Sequence, residues 1–214
     1  MGSMGRTSWW RLAALLFAGV LGVRAASETV RLRNARVTAV EYTLGTGEVL
    51  ALDALRPAVT VYLTDGVVAG QDDPALRPRK VAFGQTAFSP AGEETIRNSG
   101  NSPLSFVRVE FHGPGSARME GMAGLPRNDK LLLENTYARV YEIKVPAGTT
   151  EPQHTHRDRV VICLSGARLK HVMPDGKEET ATLETGEIVW RAAATHVGQN
   201  LGDTDLWVIA VEPK

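Results

Sequence analysis

The chain has 214 residues, of which 24 are basic and 24 acidic, so its formal net charge is zero. This length is enough for one large domain or two small ones. Without a basic excess to hold phosphates, nucleic acid is not expected as a partner. The single cysteine, Cys163, excludes an intrachain disulfide.

Residues 1–25 have the pattern of a secretion signal. Arg6 and Arg11 precede an apolar run over 12–23, and Ala25 provides a small residue at the predicted cleavage position. The run is short for a bilayer-spanning helix. We therefore expect a periplasmic or secreted mature protein without stable membrane insertion, and an uncleaved N-terminal anchor is the alternative. The remaining chain would carry 21 basic and 24 acidic groups, which is ordinary for a soluble protein.

The rest of the chain consists of short strand-like runs separated by turn signals. Runs rich in β-branched and aromatic residues cover 59–63, 107–111, 140–143, 160–164, 187–190 and 206–211. Asp65-Gly66 and Ser165-Gly166 are typical turn pairs. Short strands at this spacing predict an all-β sandwich or barrel.

The sequence also repeats itself. Residues 84–100 align without a gap with residues 186–202, and residues 60–66 align with residues 160–166. Two copies of one β unit explain this self-similarity. The first copy is predicted to span 26–111 and the second 131–214. The intervening segment, 112–130, is rich in Gly, Pro and Ser and is predicted to be a linker.

A histidine motif distinguishes the second copy. His154 and His156 follow Gly148 at fixed spacing, and His196 precedes Asn200 by four residues. Two residues apart on a strand, His154 and His156 would face the same side. The pattern resembles the cupin superfamily, whose motifs are Gly, five residues, His-x-His and, later, His, three residues, Asn. The resemblance implies a bicupin: two tandem double-stranded β-helix (cupin) barrels, each with a site at its mouth.

The sequence departs from the cupin pattern in both copies. Val160 and Val161 stand where the first motif has Glu, and Ala192 and Ala194 replace Pro and Gly of the second. The first copy keeps the residues of the second motif apart from its histidine, namely Gly84, Pro90, Gly92 and Asn98. It has no histidine at the motif positions. Ala54 and Arg56 occupy the two positions of the His-x-His pair, and Glu94 or Thr95 occupies the position of the last histidine. We therefore expect a degenerate first cupin that binds no metal in the usual way.

The three histidines of the second copy predict a metal site. Neutral imidazole suits Zn, Fe, Cu and Ni, and His196 would complete a facial set with His154 and His156 that leaves positions open for water or substrate. The resemblance extends to the three-histidine thiol and diketone dioxygenases, which use Fe(II). We therefore expect a divalent transition metal, with Fe(II) favoured over Zn, Mn, Ni or Cu, and an Fe(II)-type dioxygenase acting on a small organic molecule.

Two other functions stay open at this point. One is a non-catalytic module that binds a small ligand with a structural or bridging metal, which the missing Glu favours. The other is metal-assisted isomerisation or hydrolysis, which ranks third because no base is evident at the motif positions.

Further residues are candidates for the pocket or its surroundings. The candidates for the pocket wall are Tyr141, Arg159, Val161, Cys163 and Arg191. An arginine there could hold a substrate carboxylate, although an outward-facing strand arginine is the simpler interpretation. Glu151 and Gln153 flank the first histidine and could support it by hydrogen bonds.

The last two predictions concern the exposure of the remaining histidines and the packing of the two copies. His112 and His171 are expected on the surface. The two barrels are expected to pair edge to edge within one chain, which would cover exposed sheet edges, and a homodimer stays open.

Overall fold

The computed structural model describes residues 26–70, 77–115 and 129–214. The predicted secretion signal, 1–25, and most of the predicted linker lie outside these residues. The described parts of the chain contain strands, turns and bends, and no helix long and apolar enough to cross a membrane occurs in them. The predicted all-β class is confirmed.

The described residues form eighteen strands, which fall into two sets of nine. The first set is β1 Ser27–Arg33, β2 Val37–Leu44, β3 Val49–Ala54, β4 Ala58–Tyr62, β5 Gly66–Gly70, β6 Arg79–Val81, β7 Thr86–Ser89, β8 Gly92–Asn98 and β9 Leu104–Phe111. The second set is β10 Asp129–Glu134, β11 Ala138–Val145, β12 His154–His156, β13 Arg159–Ser165, β14 Ala167–Val172, β15 Glu178–Leu183, β16 Ile188–Arg191, β17 Ala194–Asn200 and β18 Leu206–Pro213.

The two sets have the same topology. The first forms a five-stranded sheet, β1-β2-β9-β4-β7, and a four-stranded sheet, β3-β8-β5-β6. The second forms β10-β11-β18-β13-β16 and β12-β17-β14-β15, so each strand corresponds to the strand nine places later in the chain. Two antiparallel sheets wound in this order make a double-stranded β-helix. The prediction of two tandem barrels is therefore confirmed.

The repeat extends to individual hydrogen bonds around the two motif asparagines. Asn98 and Asn200 are fully buried, and each side-chain amide donates to two backbone oxygens at 2.8 to 3.0 Å. Each side-chain oxygen accepts from the backbone N–H of the glycine two residues later, Gly100 or Gly202. A buried amide with all these partners fixes the turn that follows the strand, which is a physical reason for Asn at this position.

The barrels pack through the outward faces of their five-stranded sheets. The apolar core between them combines residues of the first barrel, such as Val59 and Val109, with residues of the second, such as Val160 and Val211. The predicted edge-to-edge pairing is thus wrong in its geometry, because the odd-numbered residues of β4 and β9 turn their side chains away from their own barrel toward the other one. Trp190 and Trp207 pack against the same core.

The interiors of the two barrels are filled differently. In the first barrel the rings of Tyr42 and Tyr62 lie 5.5 and 6.0 Å from the ring of Phe106. By strand register, the corresponding residues of the second barrel are the smaller Ile143, Cys163 and Val208. Replacing three aromatic rings by smaller side chains leaves space inside the second barrel.

Candidate metal centre

Antiparallel pairing of β12 with β17 brings three histidines together in the second barrel. His154 lies directly opposite His196, and His156 is two residues further along β12. Each histidine offers one ring nitrogen within 4.8 Å of the nitrogens offered by the other two. His156 and His196 are buried, while His154 is half-buried. The three residues predicted as metal ligands therefore form one cluster in the structure.

Hydrogen bonds assign the tautomer of His154. Its Nδ1 lies 2.8 Å from the carbonyl oxygen of Pro152, which can only accept a hydrogen bond. Nδ1 therefore carries the proton, and Nε2 presents a lone pair to the centre of the cluster.

A buried chain of three residues assigns His156 in the same way. The Tyr141 hydroxyl donates to Oε1 of Glu212 at 2.7 Å, and His156 Nδ1 lies 3.0 Å from the same hydroxyl oxygen. Because the hydroxyl proton points to Glu212, the oxygen accepts from Nδ1–H. His156 Nε2 thus also presents a lone pair. A carboxylate behind a ligand histidine orients the ring and raises its basicity.

These assignments place the Nε2 atoms of two rings side by side. The Nε2 atoms of His154 and His156 are 2.9 Å apart, a separation that a hydrogen bond between them or a shared cation would make favourable. Burial lowers the pKa of His156 to about 2 and that of His196 to about 3, which disfavours a proton on either of these two rings. Arg159 adds to the burial effect at His156, and His171 does so at His196. Three clustered imidazoles, two of them buried, form a donor set that suits a divalent transition metal.

A cavity of about 460 Å³ opens beside the histidines inside the second barrel. One part of its wall is polar and contains Glu151, His156, Arg159, His171, Arg191 and His196. The other part is apolar and contains Ile143, Val145, Val161, Leu169, Leu183, Leu206 and Val208. Pockets with apolar walls and a few convergent polar groups are typical of small-molecule sites.

Arg159 and Arg191 face each other across β13 and β16 and both line the cavity. Arg159 is 7% exposed, and its Nη1 donates to the carbonyl oxygen of Arg157 at 3.1 Å. Its Nε has no hydrogen-bond partner among the described residues. Burial, with Arg191 as a further cause, lowers the pKa of Arg159. Arg159 is thus a buried residue of the cavity wall, whereas Arg191 lines the cavity as an exposed residue.

The other predicted pocket residues lie at different depths. Val161 lines the cavity. Tyr141 lies behind His156 as its hydrogen-bond partner and is not among the cavity-lining residues. Cys163 is buried in the apolar core of the second barrel, away from the cavity wall, where burial raises the pKa of its thiol to about 11. A neutral buried thiol fits the interpretation of Cys163 as a small apolar residue.

Two residues of the cavity wall could not be assigned from the motifs. His171 was expected on the surface, but its ring centre lies 4.4 Å from that of His196. The alternation of Leu169, His171 and Met173, which all line the cavity, is the sequence signal that could have identified it. Glu151 is 6% exposed and also lines the cavity.

Gly198 makes room for the Glu151 carboxylate. The Glu151 backbone N–H donates to the Gly198 carbonyl oxygen at 2.8 Å. A Cβ atom on Gly198 would lie 2.8 Å from Oε2 of Glu151, closer than real Cβ contacts allow. The absence of a side chain on Gly198 therefore lets a carboxylate sit beside the histidine cluster.

The corresponding place in the first barrel holds an ion pair. There Leu52 lies opposite Glu94, as His154 lies opposite His196, so the positions equivalent to the His-x-His pair are 52 and 54 rather than 54 and 56. Arg108 is fully buried and donates to Glu94 at 2.5 Å. In the first barrel, a guanidinium group therefore lies at the level at which the second barrel has its three histidines.

Comparisons with known proteins identify the fold. No family model and no curated protein matches the chain. Among solved structures, it is similar to a cupin 2 conserved barrel domain protein from Leptotrichia buccalis, with a TM-score of 0.57, 13% identity and coverage of 88% of this chain and 89% of that chain. It is also similar to AerE from Microcystis aeruginosa, with a TM-score of 0.61, 14% identity and coverage of 89% and 97%.

A third similar structure is an oxalate decarboxylase from Bacillus subtilis, described with its Mn(II) centres. The TM-score is 0.61 at 15% identity, over 87% of this chain and 72% of that chain. At such identities the likeness shows the fold alone, and the chain has the cupin fold.

Proposed function

We propose that this cupin-fold chain is a metal-dependent enzyme that converts a small organic anion in its second barrel. The observation that carries the proposal is the cluster of three histidines, in which the Nε2 atoms of His154 and His156 lie 2.9 Å apart. His154, His156 and His196 would hold a divalent metal. Bound there, the metal would supply a Lewis-acid centre with open positions, and Fe(II) would in addition supply O2 activation.

The residues around the cluster support a substrate site. Tyr141 and Glu212 hold the His156 ring in one orientation, so the ligand geometry is fixed before metal binds. Arg159 and Arg191 would bind the negatively charged group of the substrate. The apolar wall of the cavity would exclude water from the reacting group.

Oxidation by O2 at Fe(II) is the reaction that we favour. The choice of metal depends on the compartment, because export, which residues 1–25 predict, would expose Fe(II) to oxidation. Mn(II) and Zn(II) are therefore tested beside Fe(II), and the Mn(II) centres of the similar oxalate decarboxylase give a further reason to include Mn(II).

Glu151 favours a second candidate, metal-assisted proton transfer without O2. No base was evident at the motif positions, but the carboxylate of Glu151 lines the same cavity. A buried carboxylate beside a metal site can accept a proton from a bound substrate. An isomerase or lyase that needs Glu151 but consumes no O2 would support this second candidate.

The test begins with the metal content of the purified protein. We expect about one equivalent of divalent metal in the wild type, measured by plasma mass spectrometry after loading with Fe(II), Mn(II) or Zn(II). The double variant His154→Ala, His156→Ala should lose it. His112→Ala is the matched control, because His112 lies at the end of the first barrel and bonds to Thr38.

The outcomes separate the candidate functions. Uptake of O2 by the Fe(II)-loaded wild type with a panel of small acids, lost in the double variant, would support the oxidation. Metal binding with neither O2 uptake nor conversion of any acid would favour a non-catalytic module that captures a small ligand. A wild type that takes up no metal after loading would contradict the proposal.

A further inference from the structure

We propose that the substrate of the second barrel is an amphipathic acid, with an anionic head beside Arg159 and Arg191 and an apolar body of several carbons inside the barrel. This inference rests on the proposed function for the metal beside the head group. The binding of the acid itself depends on the cavity and the arginines.

The apolar half of the cavity lies at the level where the first barrel has three aromatic rings. The first barrel fills its interior with Tyr42, Tyr62 and Phe106, and the second has Ile143, Cys163 and Val208 at the corresponding register positions. Two of these three smaller residues, Ile143 and Val208, line the cavity of about 460 Å³. A two-carbon diacid would leave this apolar space filled with water, whereas an apolar body would displace that water and bind more tightly.

The polar half carries two like charges side by side. Arg159 and Arg191 occupy directly opposite positions on β13 and β16, where like charges destabilise a sheet unless a counter-charge is present. Among the described residues no salt bridge joins either guanidinium to an acidic group, although Glu212 and Asp129 lie close enough to act on the pKa of Arg159. The Nε of Arg159 is buried without a partner. A bound carboxylate would satisfy this donor and neutralise the repulsion.

The two halves share one cavity, so a single molecule can occupy both. Val161 lies two residues after Arg159 on β13 and faces the same interior. A ligand held by its head at Arg159 would therefore extend along Val161 toward Val208. This arrangement favours a monoacid with a linear or aromatic body over a sugar, because the apolar wall offers few hydrogen-bond partners to hydroxyl groups.

The experiment is a calorimetric titration with straight-chain carboxylates from acetate to decanoate and with the matching alcohols. Metal-free wild type is titrated first, and protein loaded with Zn(II) second. We expect the affinity for carboxylates to rise about fourfold per added methylene until the chain fills the cavity. Each alcohol should bind at least tenfold more weakly than the acid of the same length.

Two variants test the two halves separately. Val208→Phe restores the ring that the first barrel has at Phe106, so the gain per methylene should stop at a shorter chain. Arg159→Met should remove the preference for the acid over the alcohol in metal-free protein. Arg168→Met is the control, because Arg168 is exposed on β14 and lies outside the cavity wall. Circular dichroism melts establish that each variant is folded.

The results can overturn this inference independently of the metal site. Equal affinity for acetate and octanoate, or no binding of any acid by metal-free and metal-loaded protein, would refute the amphipathic acid, and the metal analysis would stand by itself. Conversely, chain-length-dependent binding in a protein that takes up no metal would refute the proposed enzyme and leave this inference intact. A gain per methylene that Val208→Phe leaves unchanged would place the ligand outside the barrel and refute it.

Discussion

The hydrogen bond between Tyr141 and His156 gives the sharpest test of the site. Tyr141→Phe removes the oxygen that accepts from His156 Nδ1, and it removes the 2.7 Å hydrogen bond that Tyr141 donates to Glu212. Glu212 is fully buried, and its remaining partner is the backbone N–H of Arg157 at 3.3 Å.

Two costs follow from the substitution. A buried acceptor that loses its donor costs about 1–3 kcal/mol, and more when it is charged, so the melting temperature of the metal-free protein should fall. The His156 ring, no longer fixed in the tautomer with Nε2 free, should bind metal about 10- to 100-fold more weakly. Competition with a chromophoric chelator measures the affinity, and a thermal melt measures the stability.

Tyr42→Phe is the matched control for this experiment. Tyr42 is equally buried, but it lies in the first barrel and packs on Phe106. It should leave metal affinity unchanged. If Tyr141→Phe binds metal as tightly as the wild type, the assignment of the His156 tautomer through Tyr141 and Glu212 is refuted.

Three further predictions follow from buried charged and titratable groups. Because the folded-state pKa values of His156 and His196 are depressed to about 2 and 3, protons on these two rings compete little with metal above pH 5, so in a pH series of metal titrations neither ring should contribute to a fall in affinity from pH 8 to 5. Two imidazoles of ordinary pKa would each reduce it roughly thirtyfold at pH 5. The pKa of Asp129 is raised to about 7, first by burial and then by Glu151. The folded state therefore keeps a proton that the unfolded chain loses above pH 3.8, and stability is lost as the pH rises to 7. Asp129→Asn should melt higher than the wild type at pH 8, and the difference should vanish near pH 4. In the first barrel, Arg108→Met should lower the free energy of unfolding in urea by about 3–5 kcal/mol, because partly buried Glu94 keeps its hydrogen bond from Ser89 but loses its charged partner, and a double variant that also has Glu94→Leu should recover much of this loss.

Much of the fold was predictable because the two copies share side-chain hydrogen bonds and backbone conformations as well as residue types. Asn98 and Asn200 make the same set of hydrogen bonds in both barrels. Gly84 and Gly186 both have positive φ values, 78° and 83°, at which a side chain is strained. These requirements belong to the backbone, so they persist where the functional residues differ. The histidines were predictable for a similar reason, because spacing along a strand determines which face they share.

The cavity wall was less predictable because it depends on contacts between distant strands. The Glu151 carboxylate occupies space beside Gly198 that a side chain there would share, a contact that neither residue indicates alone. His171 lies on a strand whose two faces are both partly exposed, so the alternation of Leu169, His171 and Met173 does not by itself decide which face lines the cavity. The packing of the barrels was mispredicted because the apolar residues of β4 and β9 supply two cores, one within the barrel and one between barrels. Sequence patterns do not distinguish the two.

The two barrels differ in how their interiors are filled and how the polar groups inside them are neutralised. A small β-barrel must fill its interior, and polar groups there must be neutralised. The first barrel does so with three aromatic rings and the buried pair of Arg108 with Glu94. The second has smaller side chains inside, and its clustered imidazoles, with two Nε2 atoms at 2.9 Å, would hold a cation. Since the barrels share one apolar core, the packing of the first can offset the destabilising open cavity of the second. On this argument the filled interior of the first barrel stabilises the chain, and the interior of the second provides space for a ligand.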